Sequence, residues 1–221
     1  MEPTTPCFSR LSQRLRIQFA CFLLFSVAIL FFSRSVRCQG LLTITFDGSP
    51  EQPPGTAYTV TDYTELGMSF TPVPESFGFG RVGPSTLGFA DNGTVHLKAA
   101  FGDSLMFSST SSLLFVLVSV DLGEYSTVVP DPVTVQFVGY RHDGSMVTTD
   151  FMTDGVIDGT GPLADFETFY FDTKEWSGLD RVEIPTYGWS LDNLVVSVPE
   201  PSSILLALAG GLLLWMRRSR V

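Results

Sequence analysis

The side chains of this sequence that could do chemistry are carboxylates, amides and aromatic rings, since the usual nucleophiles and soft ligands are scarce. Asp47 ends an apolar alternating stretch near the start of the chain's middle, and Asp192-Asn193 opens another near its end. If the two stretches are the first and last strands of one sandwich, these oxygens come close together. A hard cation asks for such a mixture of carboxylate, amide and backbone oxygens. Asp192 also shares parity with Leu194, Val196 and Val198, which would turn it inward, where a carboxylate needs a partner. The alternative needs no metal: Asp47 starts a turn and Asp192 caps a strand through local backbone hydrogen bonds.

Aromatic residues are abundant, with 19 Phe, 6 Tyr and 3 Trp. Most must fill the core. Tyr125, Trp176, Tyr187 and Trp189 fall in expected loops or strand ends, where rings can stack on sugar faces; the alternative is packing at the ends of the fold. Asp150, Asp154, Asp158, Asp165 and Glu167 share one segment, and a pair of acids at a defined distance is all a glycosidase requires. Their glycine-rich setting reads instead as a solvated loop or a weak cation site. His96 and His142 are isolated, on a strand and in a turn, and no nucleophile elbow, histidine-rich metal motif or phosphate loop occurs. Asn92-Gly93-Thr94 matches a glycosylation sequon and also suits a turn.

Charge narrows the partners. All 23 acidic residues except Glu2 lie from Asp47 to Glu200, opposed there only by Arg81, Lys98, Arg141, Lys174 and Arg181. So acidic a body repels phosphate backbones, and nucleic acid is excluded as a partner. Divalent cations, neutral glycans and cationic polymers are compatible with it. Cys7, Cys21 and Cys38 all precede the body, which therefore has no disulfide and no cysteine zinc site and must rest on burial.

The two ends read as targeting segments. Arg10, Arg14 and Arg16 precede an apolar run from Ile17 to Phe32, the order of a secretory signal peptide, and Val36 and Cys38 place cleavage by signal peptidase before Gln39. The alternative is an uncleaved membrane anchor. At the other end Val198-Pro199-Glu200-Pro201 leads into the apolar Ile204 to Met216, followed by Arg217, Arg218 and Arg220. At about 1.5 Å per residue that run reaches around 20 Å, short of the roughly 30 Å hydrocarbon core, and its basic tail keeps the carboxyl end in the cytoplasm.

This tripartite order resembles the PEP-CTERM sorting domain. The resemblance covers only the last two dozen residues, carried by Pro199-Glu200-Pro201, the glycine-bearing apolar helix and Arg217, Arg218 and Arg220. It implies recognition by an exosortase, a membrane transpeptidase-like partner that cuts near the Pro-Glu-Pro motif, in a Gram-negative-type bacterium making extracellular polysaccharide. The two prolines hold an extended, helix-free site at the membrane face.

Between the ends, short β-rich stretches alternate with Gly, Pro, Asn and Asp punctuation. The pattern predicts an all-β fold, a two-sheet antiparallel sandwich of jelly-roll type, flanked by the signal-peptide helix and the short carboxyl-terminal transmembrane helix. The expected strands are Leu41 to Phe46, Gly67 to Phe70, Val95 to Ala99, Ser104 to Ser108, Leu113 to Leu122, Val133 to Tyr140, Met146 to Phe151, Phe166 to Phe171, Leu179 to Ile184 and Leu191 to Val198. Leu113 to Val118, apolar on both parities, is expected to be covered on both faces. Arg141-His142-Asp143-Gly144 reads as a hairpin turn, and Pro50 to Gly55 and Pro72 to Pro84 as loops.

The layout, through Leu41 to Asp47, Val138 to Gly144 and Leu191 to Leu194, is similar to sandwich domains that precede this sorting signal and to jelly rolls among carbohydrate-binding modules. Resemblance to calcium-stabilised modules implies Asp47, Asp192 and Asn193 as calcium ligands. The organisation is thus a signal peptide over 1–38, a sandwich over 39–197 and a sorting signal over 198–221. The expected function is a non-enzymatic structural or glycan-binding component of an extracellular polysaccharide matrix, membrane-anchored before processing and then at the cell surface. The alternative is a glycan-active hydrolase using paired carboxylates.

Overall fold

A computed structural model describes residues 39–73, 76–128, 131–157 and 165–199. They belong to one compact unit, Gln39–Pro201. The expected signal-peptide and transmembrane helices, and Glu200, Pro201, Arg217, Arg218 and Arg220, lie outside the described residues. Among the described residues no helix is long and apolar enough to cross a membrane.

The described chain is all-β. Its strands are β1 (Gln39–Ile44), β2 (Ala57–Val60), β3 (Tyr63–Glu65), β4 (Met68–Thr71), β5 (Phe79–Val82), β6 (His96–Ala99), β7 (Leu105–Ser109), β8 (Val116–Glu124), β9 (Thr134–Arg141), β10 (Met146–Met152), β11 (Glu167–Tyr170), β12 (Leu179–Ile184) and β13 (Trp189–Pro199). They form two antiparallel sheets packed as a sandwich. A seven-stranded sheet runs β11-β8-β13-β6-β5-β2 with β1 also on β13, and a six-stranded sheet runs β10-β9-β12-β7-β4-β3.

Alternation sets the inner faces, as in Val135 and Phe137 of β9 or Leu194 and Val196 of β13, all fully buried. Between the sheets the rings interlock: Phe46 meets Phe70 edge-on at 5.2 Å, and Phe137 meets Phe171 at 5.1 Å. Each such side chain contributes about 1.5–3 kcal/mol by leaving water.

Three strands depart from expectation. β5 falls inside the Pro72 to Pro84 stretch, and β2 and β3 are equally short; pieces of three or four residues show no period and form only because neighbours pair with them. The doubly covered part of β8 is Ser119 to Glu124 rather than Leu113 to Val118, since Leu113 is exposed and precedes the strand. The Arg141 to Gly144 turn is a hairpin between β9 and β10, with Gly144 at φ 83° and its N–H donating to the Arg141 carbonyl at 3.0 Å.

Antiparallel pairing throughout makes the even-numbered strands from β2 to β12 finish at one end of the sandwich, where the odd ones from β3 begin. The described residues of the connections there are 61–62, 72–73, 76–78, 100–104, 125–128, 131–133, 153–157, 165–166 and 185–188. Gln39 and Pro199 are paired in register at the opposite end. The first end is called the distal rim below.

Candidate functional site

Two tight turns build an aromatic cluster on the distal rim. After β6 the chain reverses over 100–103: the Asp103 N–H donates to the Ala100 carbonyl and the Ala100 N–H to Asp103 Oδ2, both at 2.9 Å. Gly102 supplies the φ of 86° that this turn needs, and Phe101 is left at its tip. Before β13, the Gly188 N–H donates to the Ala99 carbonyl at 2.7 Å and the Trp189 indole N–H to the Thr186 carbonyl at 2.8 Å, which fixes Tyr187 beside it. The Phe101 and Tyr187 rings meet edge to face, with centroids 5.0 Å apart.

Phe77 joins them through the third adjacent connection. A Cβ added to Gly102 would lie 2.9 Å from its ring, so the glycine is the seat of Phe77. Phe77, Phe101 and Tyr187 remain 79%, 81% and 48% exposed. Apolar rings held so far out of the core, on hydrogen-bonded turns, form a preorganised surface for a ligand with an apolar face.

The structure separates the other rings chosen from sequence. Trp176 is 1% exposed and Trp189 is 0% exposed, so neither can stack on a ligand; each is a core side chain whose indole N–H is satisfied internally, Trp176 by Thr149 Oγ1 at 3.0 Å. Tyr125 packs against Phe89 at 5.7 Å, and the Lys98 ammonium sits 5.0 Å from its ring centroid and 3.2 Å from its hydroxyl. Only Tyr187 of the four presents a substantially open ring, and sequence reading missed Phe77 and Phe101. Their signal was adjacency to Gly78 and Gly102, which put large apolar residues in tight turns.

Carboxylates flank the rings. Strand order places Glu124, which pairs with Trp189, next to the Tyr187 turn, and β11 then adds Glu167 beyond it. Glu124 Oε1 accepts the Gly155 N–H at 2.8 Å and Glu167 Oε1 the Asp154 N–H at 3.1 Å. Burial first, and then a hydrogen bond to the Asp154 carboxyl, push Glu167 up to about 7. Two carboxyls bonded to each other lack the separation of about 5 Å or more that a glycosidic bond must fit into. Of the other acids in this segment, Asp150 accepts from Gln136, Asp165 accepts the Asp91 N–H, and Asp158 lies outside the described residues.

A second polar cluster lies on the outer side of β13. Asn193 takes φ 45° in a bulge where β13 shifts register against β8, and this reverses the expected parity: Leu191 and Leu194 both enter the core, and Asp192 turns outward beneath the 91–95 segment. Asp192 is nevertheless fully buried, and its partners are donors. Asn92 Nδ2, the Thr94 hydroxyl and the Asn193 N–H lie 2.5, 2.8 and 2.7 Å from its oxygens. Asn193 Nδ2 donates to Asp121 at 2.8 Å, and Asp47 accepts the Val95 N–H at 3.0 Å.

The fold thus brings Asp47, Asp192 and Asn193 into one neighbourhood, but their arrangement does not fit calcium. Asn92 Oδ1 accepts from the Thr94 N–H, which turns its amide nitrogen toward Asp192, so N–H and O–H groups stand where a cation needs oxygens. Among the described residues no group of three or more His, Cys, Asp or Glu side chains could hold a metal ion. On the open face of the six-stranded sheet, Tyr140 and Arg181 both bond Glu183, at 2.9 and 3.0 Å, and the guanidinium covers the Tyr140 ring at 3.8 Å. That triad satisfies itself.

No family model matches the chain, and no curated protein matches it. Among solved structures, the family 11 carbohydrate-binding module of the cellulosomal cellulase Lic26A-Cel5E of Clostridium thermocellum is similar over 75% of this chain and 96% of that chain, at 10% sequence identity and a TM-score of 0.27. A likeness of that size fixes no function, and the reading rests on the rim itself.

Proposed function

We propose that the chain is an exported, non-catalytic glycan-binding module, cut by signal peptidase before Gln39 and sorted by an exosortase through Pro199, Glu200, Pro201 and the arginine cluster, so that the sandwich is displayed at the cell surface or in an extracellular polysaccharide matrix. One observation carries the binding part: the rings of Phe77, Phe101 and Tyr187 are held open on hydrogen-bonded turns at one end of the molecule. In support of the display part, both expected cutting points lie at the other end, where Gln39 pairs with Pro199.

Titration of the full-length protein in a non-ionic detergent with neutral, acidic and amine-bearing oligosaccharides tests the binding, read by the fluorescence of Trp189, whose indole is bonded to the Tyr187 turn. Tyr187→Ala and Phe101→Ala should each weaken binding about tenfold, on the scale of 1–1.5 kcal/mol for a ring contact. A protein that binds none of these glycans is not a glycan-binding module. Mass spectrometry of the protein from cell surface and medium tests the sorting. New termini at Gln39 and near Pro199 are expected, and an intact chain soluble in the cell interior would overturn it.

A further inference from the structure

The rim's charge narrows the ligand class, on the condition that the glycan-binding reading holds. The described residues of the rim connections, 61–62, 72–73, 76–78, 100–104, 125–128, 131–133, 153–157, 165–166 and 185–188, contain no Lys, Arg or His. They do contain Asp62, Asp103 and Asp154, and Glu124 and Glu167 stand at the adjoining strand ends. Lys98, close by on β6, donates to the neutral Tyr125 hydroxyl and lies over the Phe89 ring at 4.5 Å, so its charge remains. The other body cations are elsewhere: Arg81 is buried against the 46–50 turn, Arg181 is held by Glu183, Arg141 is at the hairpin and Lys174 follows β11. Around the open rings, among the described residues, carboxyl groups therefore outnumber the single nearby ammonium of Lys98.

We infer that the polysaccharide held by the distal rim carries protonated amines, as an amino-sugar polymer with part of its nitrogens unacetylated does. An acidic polymer would be repelled there, and a neutral one offers hydroxyl donors to the carboxylates but no charge to offset their mutual repulsion. A single metal ion is a poorer match, because the acids are spread over several connections and Glu124, Asp154 and Glu167 already take backbone N–H groups. A sugar ring offers a C–H face to Phe101 or Tyr187 and a rigid amine to Asp103 or Asp154 at once. A lysine-rich peptide would have to immobilise long flexible stems to do the same, losing side-chain entropy at each lysine.

The test compares a glucosamine hexamer, the same hexamer fully N-acetylated, and polylysine, each titrated into the full-length protein in non-ionic detergent. The glucosamine hexamer should bind at least tenfold more tightly than its N-acetylated twin, and the difference should shrink as salt is raised. Asp103→Asn combined with Asp154→Asn should abolish most of that difference, and Tyr187→Ala should weaken both hexamers; each asparagine keeps a side-chain oxygen for the Ala100 or Val156 N–H that the carboxylate accepts, so the turns are retained. Equal affinity for the two hexamers overturns this inference and leaves the glycan reading standing. Polylysine binding as tightly as the glucosamine hexamer, indifferent to Tyr187→Ala, also overturns it, since the surface would then be a general attractor of cations. Failure of every glycan would instead remove the glycan reading itself.

Discussion

Arg81 is the buried charge on which the amino-terminal turn depends. Its guanidinium donates to the carbonyls of Phe46, Gly48 and Pro50 at 2.6, 3.0 and 2.7 Å and lies 4.4 Å from the Tyr63 ring centroid. Arg81→Met would keep the volume and orphan those carbonyls, so a loss of about 3–5 kcal/mol is expected by urea denaturation. Two other buried groups titrate in opposite senses. Burial pushes Asp192 up from 3.8 to about 7, against its hydrogen bonds to Asn92 and Thr94. The stability linked to a raised acid is present below its unfolded value and is lost as pH climbs through about 7. Burial lowers His96 from 6.5 to about 4, against the opposing pull of the Asp91 carboxylate and the Thr94 backbone. Its stability is present above 6.5 and lost as pH falls through about 4. Melting temperatures across that interval should therefore fall less with rising pH in Asp192→Asn, and fall less with falling pH in His96→Leu, than in the unaltered protein. Parallel curves for each variant and parent would refute the assignments.

At the scale of elements, the distal rim and the core use the same residue types for opposite ends. Trp176 packs on Phe171 at 4.8 Å, turned into the core from within the connection into β12, while Tyr187 stands on the connection out of it. Trp176→Ala should cost about 3–5 kcal/mol of stability and leave glycan affinity within twofold, measured well below the melting point. Tyr187→Ala should do the reverse. A tryptophan variant that keeps its stability and loses binding would contradict the placement of that ring. β13 itself is an element with two jobs, since its first half pairs with β6 and its second with β1 across the Asn193 bulge. The bulge is why a carboxylate on an apparently inward parity ends up outside the core, supplied with donors.

For the whole molecule, polarity is the organising feature. The termini of the described body emerge together at one end, and the open rings with their flanking carboxyls occupy the other. A module tethered at its paired end would present the rim to whatever lies beyond it. Such an arrangement suits a ligand met outside, and the acidic body keeps anionic polymers away from it.

The sequence by itself determined the fold class, because inward apolar positions at period two, as in Val135 and Phe137, can be buried only by a sheet with a wet second face. It determined the sign of the body's charge and the Asp143-Gly144 turn for the same kind of local reason. Only the tertiary structure decided which aromatic residues are free. Trp189 and Tyr187 are two positions apart in sequence, and their burial depends on strands β6 and β8 that pair with one and stop short of the other. It also decided the fate of Asp192, since its donors come from Asn92 and Thr94, about a hundred residues earlier, and no local pattern records a contact of that length.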